Sequence, residues 1–117
     1  MSIDDLCYMS AQEAIKRFRN LSLSPVELLD AIIERANLIS QTINPFGDCY
    51  FEEAKERAKK SEALYARRAT GIGPLEGIPL AVKDLCEIAG KRTTAGSLIN
   101  AENILELGNV TELSNNI

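Results

Sequence analysis

Lys83 is the residue of this chain best placed to do chemistry. It directly follows the apolar run Ile78, Pro79, Leu80, Ala81 and Val82, which puts an ammonium at the end of a segment that ought to be buried. A lysine kept out of water there could act as a base; one paired with Asp84 or facing solvent is an ordinary surface charge. A second stretch, residues 90–97 (GKRTTAGS), combines hydroxyls with glycines that permit close backbone approach. It could hydrogen-bond a substrate or orient the lysine, and it could equally be a plain turn. Ser10, Ser22 and Ser24 read as helix caps, and no serine sits in the glycine-flanked elbow of an exposed nucleophile.

The absences narrow the chemistry further. There is no histidine in the 117 residues, which excludes a Ser-His or Cys-His couple made from this chain alone. Cys7, Cys49 and Cys86 are odd in number and far apart, as expected of free, buried and inert thiols in a reducing compartment. Without paired cysteines or histidine, no zinc site is expected, and no cofactor is called for.

The elements that must position Lys83 are mostly helical. Ser10 to Glu13 reads as a capping box opening a helix over residues 11–20, with Ala11, Ala14, Ile15 and Phe18 on one face. Ser24-Pro25-Val26-Glu27 opens a second over 25–40, where Val26, Leu29, Ile33 and Ala36 form a stripe that Leu28 and Ile32 widen. A charged helix follows over 52–68, with Glu53–Arg57 and Glu56–Lys60 as i, i+4 pairs and a narrow apolar side of Ala54, Ala58, Ser61 and Tyr65. Residues 46–50 are expected as a short edge strand and residues 78–83 as a buried strand, with Pro79 at its start, edge or bulge.

The composition is that of one soluble globular domain of marginal stability. A net charge of -4 and no basic amino-terminal leader argue against nucleic acid and export, and no apolar stretch approaches a membrane span. A cytoplasmic chain is expected.

Residues 22–27 (SLSPVE), 73–84 (GPLEGIPLAVKD) and 90–97 (GKRTTAGS) resemble, in order and spacing, the amino-terminal part of amidase-signature enzymes. The likeness covers residues 11–97 of a single partial domain, 1–117, and residues 98–117 form a divergent tail. It implies an α/β fold in which these helices pack around a mixed sheet. It also implies acyl transfer at amide C–N bonds by a triad of a lysine, a serine held by a cis peptide bond and a nucleophilic serine. Lys83 matches the lysine, the general base position. Both serines belong to a glycine- and serine-rich segment downstream, which the sequence to Ile117 does not contain, so a truncated fragment inactive on its own is expected. Thr93, Thr94, Gly96 and Ser97 match the family's conspicuous loop, in a supporting role. Residues 107–113 (LGNVTEL) are similar to a later family segment that arrives too early, with Gly108 and Asn109 adjacent where the family has two residues between them.

The resemblance leaves two parents open, a general amidase acting on a small-molecule amide and one subunit of a glutamine-dependent aminoacyl-tRNA amidotransferase. In a reading from another class, the chain is a helical partner-binding module that uses the apolar faces of its first two helices. The implied partners are a small-molecule amide, with no nucleic acid and no membrane. Self-association through an open sheet edge is also expected.

Overall fold

The computed structural model describes residues 1–104, and the chain divides into two compact units, Met1–Pro79 and Leu80–Ile117. The first unit holds four helices, α1 (Ile3–Cys7), α2 (Ala11–Arg19), α3 (Pro25–Ile39) and α4 (Phe51–Ala66). The last three lie within two residues of the ends that the sequence predicts. Residues 107–113 lie outside the described residues.

Local hydrogen bonds start these helices where the sequence places them. At α3 the box is complete: Ser24 Oγ accepts the Val26 N–H at 3.0 Å, and Glu27 Oε2 accepts the Ser24 N–H at 2.9 Å. Pro25 takes the first helical position, where a missing N–H leaves nothing unsatisfied. At α2 only half of the expected box forms. Ser10 Oγ accepts the Glu13 N–H at 3.2 Å, while the Glu13 carboxylate turns to Arg17 Nε at 2.8 Å. On α4, Glu56 takes Lys59 at 3.1 Å in place of the expected Lys60. The unforeseen α1 has a full box of its own, in which Ser2 and Asp5 satisfy each other's backbone N–H.

Two helices end in the same way. Beyond α2, Ser22 N–H reaches the Arg17 carbonyl and Leu21 N–H the Phe18 carbonyl; beyond α4, Ala69 reaches Leu64 and Arg68 reaches Tyr65. These are Schellman motifs, whose left-handed residue is usually glycine. Here it is Leu21, at φ 61, and Arg68, at φ 51.

The core of the unit forms between helices. Phe18, with no exposure, lies 5.5 Å from the Tyr65 ring, and Ala14, Leu23 and Leu28 complete the cluster. Leu29 and Ile33 of α3 meet Ala58 of α4 in a second one. Burying a side chain such as Phe18 stabilises by about 1.5–3 kcal/mol. The apolar faces of α2 and α3 are therefore occupied inside the unit, which removes the surface that a partner-binding reading of those faces needs. The segment after α4 is tied back to it: Tyr65 Oη donates to the Glu76 carbonyl at 2.9 Å, and Ser61 Oγ lies 2.5 Å from Glu76 Oε1.

The strand expectations are corrected. Residues 46–50 carry no ladder, and neither do residues 78–83, where Leu80 is 62% exposed. Among the described residues no named strand forms; the second unit has a 3-10 helix, Leu98–Asn100, and an isolated antiparallel bridge joins Arg92 to Ile104. An apolar run becomes a strand only when neighbouring strands take its N–H and C=O groups, and Pro79 has no N–H to offer. The mixed sheet and its open edge are thus not formed by the described residues. The thiols depart from expectation too: Cys49 and Cys86 are exposed, Cys7 is half-buried, and all three are free. No helix among the described residues is long and apolar enough to cross a membrane.

Candidate functional site

All of the candidate site residues fall in the second unit. Lys83 is exposed, in place of the burial that the sequence predicts. Its carbonyl accepts the Cys86 N–H at 2.9 Å, closing a turn over residues 83–86. Among the described residues no ion pair joins Lys83 to Asp84, but Lys83 faces solvent, which is the other condition that the sequence reading sets for an ordinary surface charge.

Asp84 is turned instead toward the loop. Its Oδ1 accepts the Thr94 N–H at 2.8 Å, its Oδ2 accepts the Thr94 hydroxyl, and its carbonyl accepts the Ala95 N–H at 3.0 Å. The Thr94 hydroxyl, and then the Thr94 N–H, hold the Asp84 carboxyl below the ordinary carboxylate range. Desolvation opposes them, and still smaller lowering pushes come from the Gly96 N–H and the charge of Arg92. A fixed negative charge therefore sits one residue from Lys83 at neutral pH.

The loop itself is a turn with specific chemistry. Ala95 at φ 50 and Gly96 at φ 72 follow one another, and Ser97 N–H closes on the Thr94 carbonyl at 2.9 Å, the pattern of a type I′ turn. Gly96 N–H donates to Thr94 Oγ1 at 3.2 Å, so one hydroxyl accepts from inside the turn while it donates to Asp84. Ser97 Oγ accepts the Ile99 N–H at 3.3 Å and starts the 3-10 helix. Thr93 is buried and held by Asn103, whose carbonyl accepts its N–H at 2.9 Å and whose Nδ2 donates to its carbonyl at 3.1 Å.

The arrangement thus gives each loop residue a holding task. The Thr94 hydroxyl is engaged with Asp84 and Gly96, and that of Ser97 with Ile99. Sequence reading missed Asp84 and Asn103 as the residues that hold this loop. The signal available for Asp84 was its place beside Lys83, together with a loop rich in donors; the spacing of ten residues follows no helical or strand period.

The comparisons with known proteins bear on the same segments. The family model described as Amidase matches residues 27–107, which include Lys83 and the loop. An amidase of Gibberella zeae is 32% identical over 96 residues, covering 82% of this chain and 17% of that protein. An acylamidase of Rhodococcus erythropolis is 32% identical over 107 residues, 89% of this chain and 22% of the relative. A glutamyl-tRNA(Gln) amidotransferase subunit of Sinorhizobium fredii is 38% identical over 95 residues, 81% of this chain and 19% of that relative. The chain therefore spans only about a fifth of the length of these curated relatives. No solved structure matches it. With the family model matched over more than two thirds of the chain, and with the motifs around Lys83 and Thr94 inside the match, the chain belongs to the amidase family.

Proposed function

We propose that the chain is the amino-terminal part of an amide-hydrolysing, amidase-signature enzyme and that Lys83 is its general base position. The observation that carries the reading is the family match across residues 27–107, which brackets both GPLEGIPLAVKD and GKRTTAGS. In the complete enzyme the lysine draws a proton through a bridging serine, so that a second serine attacks the amide carbonyl and the amine leaves. Neither serine segment is in these 117 residues, and the described loop hydroxyls are engaged elsewhere. The chain by itself is accordingly inactive, and its place is the cytoplasm, where three free thiols persist.

The test is amide hydrolysis and fluorophosphonate labelling of the purified chain beside a version extended through the surrounding reading frame. Activity in the extended form alone, lost in Lys83→Ala, is the expected result. Hydrolysis by the 117-residue chain, abolished by the same substitution, would refute inactivity; activity in neither form would refute the enzyme reading.

A second parent is favoured by a specific observation, the 38% identity to a glutamyl-tRNA(Gln) amidotransferase subunit. In that case the extended protein releases ammonia from glutamine and needs other subunits. Glutamine dependence of the extended form separates the two parents.

A further inference from the structure

We propose that Asp84 is a positioning residue for the Lys83 site: by gripping Thr94 it fixes the turn on which Lys83 stands. The argument starts at Lys83, whose carbonyl is the first acceptor of the turn closed by the Cys86 N–H at 2.9 Å. Asp84 is the next residue of that turn. The planar peptide that joins Lys83 to Asp84 ends at the Asp84 Cα, so anchoring Asp84 fixes one end of that plane while the Cys86 N–H holds its carbonyl. Asp84 is held on side chain and backbone: two hydrogen bonds from Thr94 reach its carboxylate, and the Ala95 N–H reaches its carbonyl.

The receiving side is equally prepared. Ala95 stands at φ 50, a conformation that a residue with a Cβ keeps only when its surroundings over-determine it. Those surroundings are the Asp84 grip on one side and the turn closed by Ser97 on the other. The Thr94 hydroxyl accepts from Gly96 and donates to Asp84, so the two are coupled through one oxygen. Thr93 is strapped to Asn103 from behind, which holds the stretch of chain leading into Thr94. This gives the TTAGS loop a purpose beyond lining a site: it clamps the residue adjacent to the base. The depressed carboxyl of Asp84 is consistent with the grip.

The purpose rests on the proposed role of Lys83, whereas the grip can be measured without it. In the full 117-residue chain, Asp84→Asn and Thr94→Val are compared with the parent by amide hydrogen exchange and by NMR order parameters. The expected result is about tenfold faster exchange at Thr94 and Ala95, as one lost hydrogen bond to a charged group allows. A fall of the Lys83 amide from the rigid range near about 0.85 toward about 0.6 should accompany it. Thr94→Ser, which keeps the hydroxyl, restores both, and the α3 amides keep their protection as the folding control. A Lys83 amide that stays rigid while Thr94 and Ala95 open would overturn the positioning role, and no response at any of these amides would overturn the grip itself. In the extended enzyme Asp84→Asn and Thr94→Val should each lower kcat with KM unchanged, and Thr94→Ser in place of Thr94→Val should recover it; an unchanged kcat in the first two would overturn the role. An extended protein without activity, whose amides still respond, would sink the base reading of Lys83 and leave the grip standing.

Discussion

Replacing Gly77 by alanine separates two physical effects that the helical unit combines at one position. Gly77 has φ 84, and a Cβ added there would lie 2.8 Å from Pro25 Cγ, 3.1 Å from Pro25 Cβ and 3.4 Å from Phe18 Cε2. Pro25 and Phe18 are the largest fully buried side chains of the described residues, so neither has room to give way. The left-handed backbone costs an alanine about 1–2 kcal/mol. Forcing a methyl into the packed contact adds about 1–3 kcal/mol. The sum, roughly 2–5 kcal/mol, is a large share of the stability of a small domain, which is on the order of 5–15 kcal/mol. Gly71 is the control, because it has φ 74 but nothing within 4 Å of an added Cβ. Gly71→Ala should lose the backbone contribution alone, about 1–2 kcal/mol. Urea unfolding followed by far-ultraviolet circular dichroism measures both, with equal slopes and a lower midpoint for Gly77→Ala. Equal midpoints for the two variants would refute the packing argument, and a Gly77→Ala midpoint at the parent value would refute both parts.

Four further outcomes follow from other contacts. Ser24→Ala removes the α3 cap and the hydroxyl bond to Glu62, so calorimetry should show a loss of about 1–2 kcal/mol, and Ser24→Thr should recover most of it. Arg68→Gly relieves a left-handed arginine at the end of α4 and should raise the urea midpoint, by up to about 1 kcal/mol; a lower midpoint would show that the arginine side chain outweighs the strain. Iodoacetamide followed by peptide mapping should modify Cys49 and Cys86 first and Cys7 last, since burial pushes the Cys7 thiol up and its Sγ sits 3.6 Å from the Ala31 carbonyl. The Asp5 carboxyl is held below its usual 3.8 by the Ser2 hydroxyl and then the Ser2 N–H, so its folded value lies under its unfolded one. The stabilisation of α1 is then complete above about pH 4 and is lost as pH falls through the lowered value, which NMR of the Ser2 and Asp5 amides reports and Asp5→Asn abolishes.

The helices were legible because their signals are local. Ser10, Ser24 and Pro25 mark starts whatever lies elsewhere in the chain, and the spacing of Ala14 with Phe18 and of Leu29 with Ile33 names the faces that are buried. The short α1 escaped because a single turn has no period, and its box uses Asp5 where Glu or Gln is the usual partner. The run from Ile78 to Val82 misled for the opposite reason, since an apolar stretch says that a segment wants burial and leaves open what will cover it. Here no ladder forms and Leu80 remains exposed. The family was legible in three motifs. The grip of Asp84 on Thr94 was not, because it joins residues ten apart through a turn whose handedness depends on Ala95 and Gly96.

The boundary between the two units runs through the motif GPLEGIPLAVKD itself, after Pro79. Its first half shares the fate of the helices: Glu76 is tied to Ser61 and Tyr65, Gly77 sits against Pro25 and Phe18, and Ile78 packs on their core. In its second half, Lys83 and Asp84 are held by a turn hydrogen bond and by the grip on Thr94. One stretch of twelve letters is therefore shared between two compact units. Substitutions before Pro79 register in the melting of the helices, because that half of the motif packs on their core.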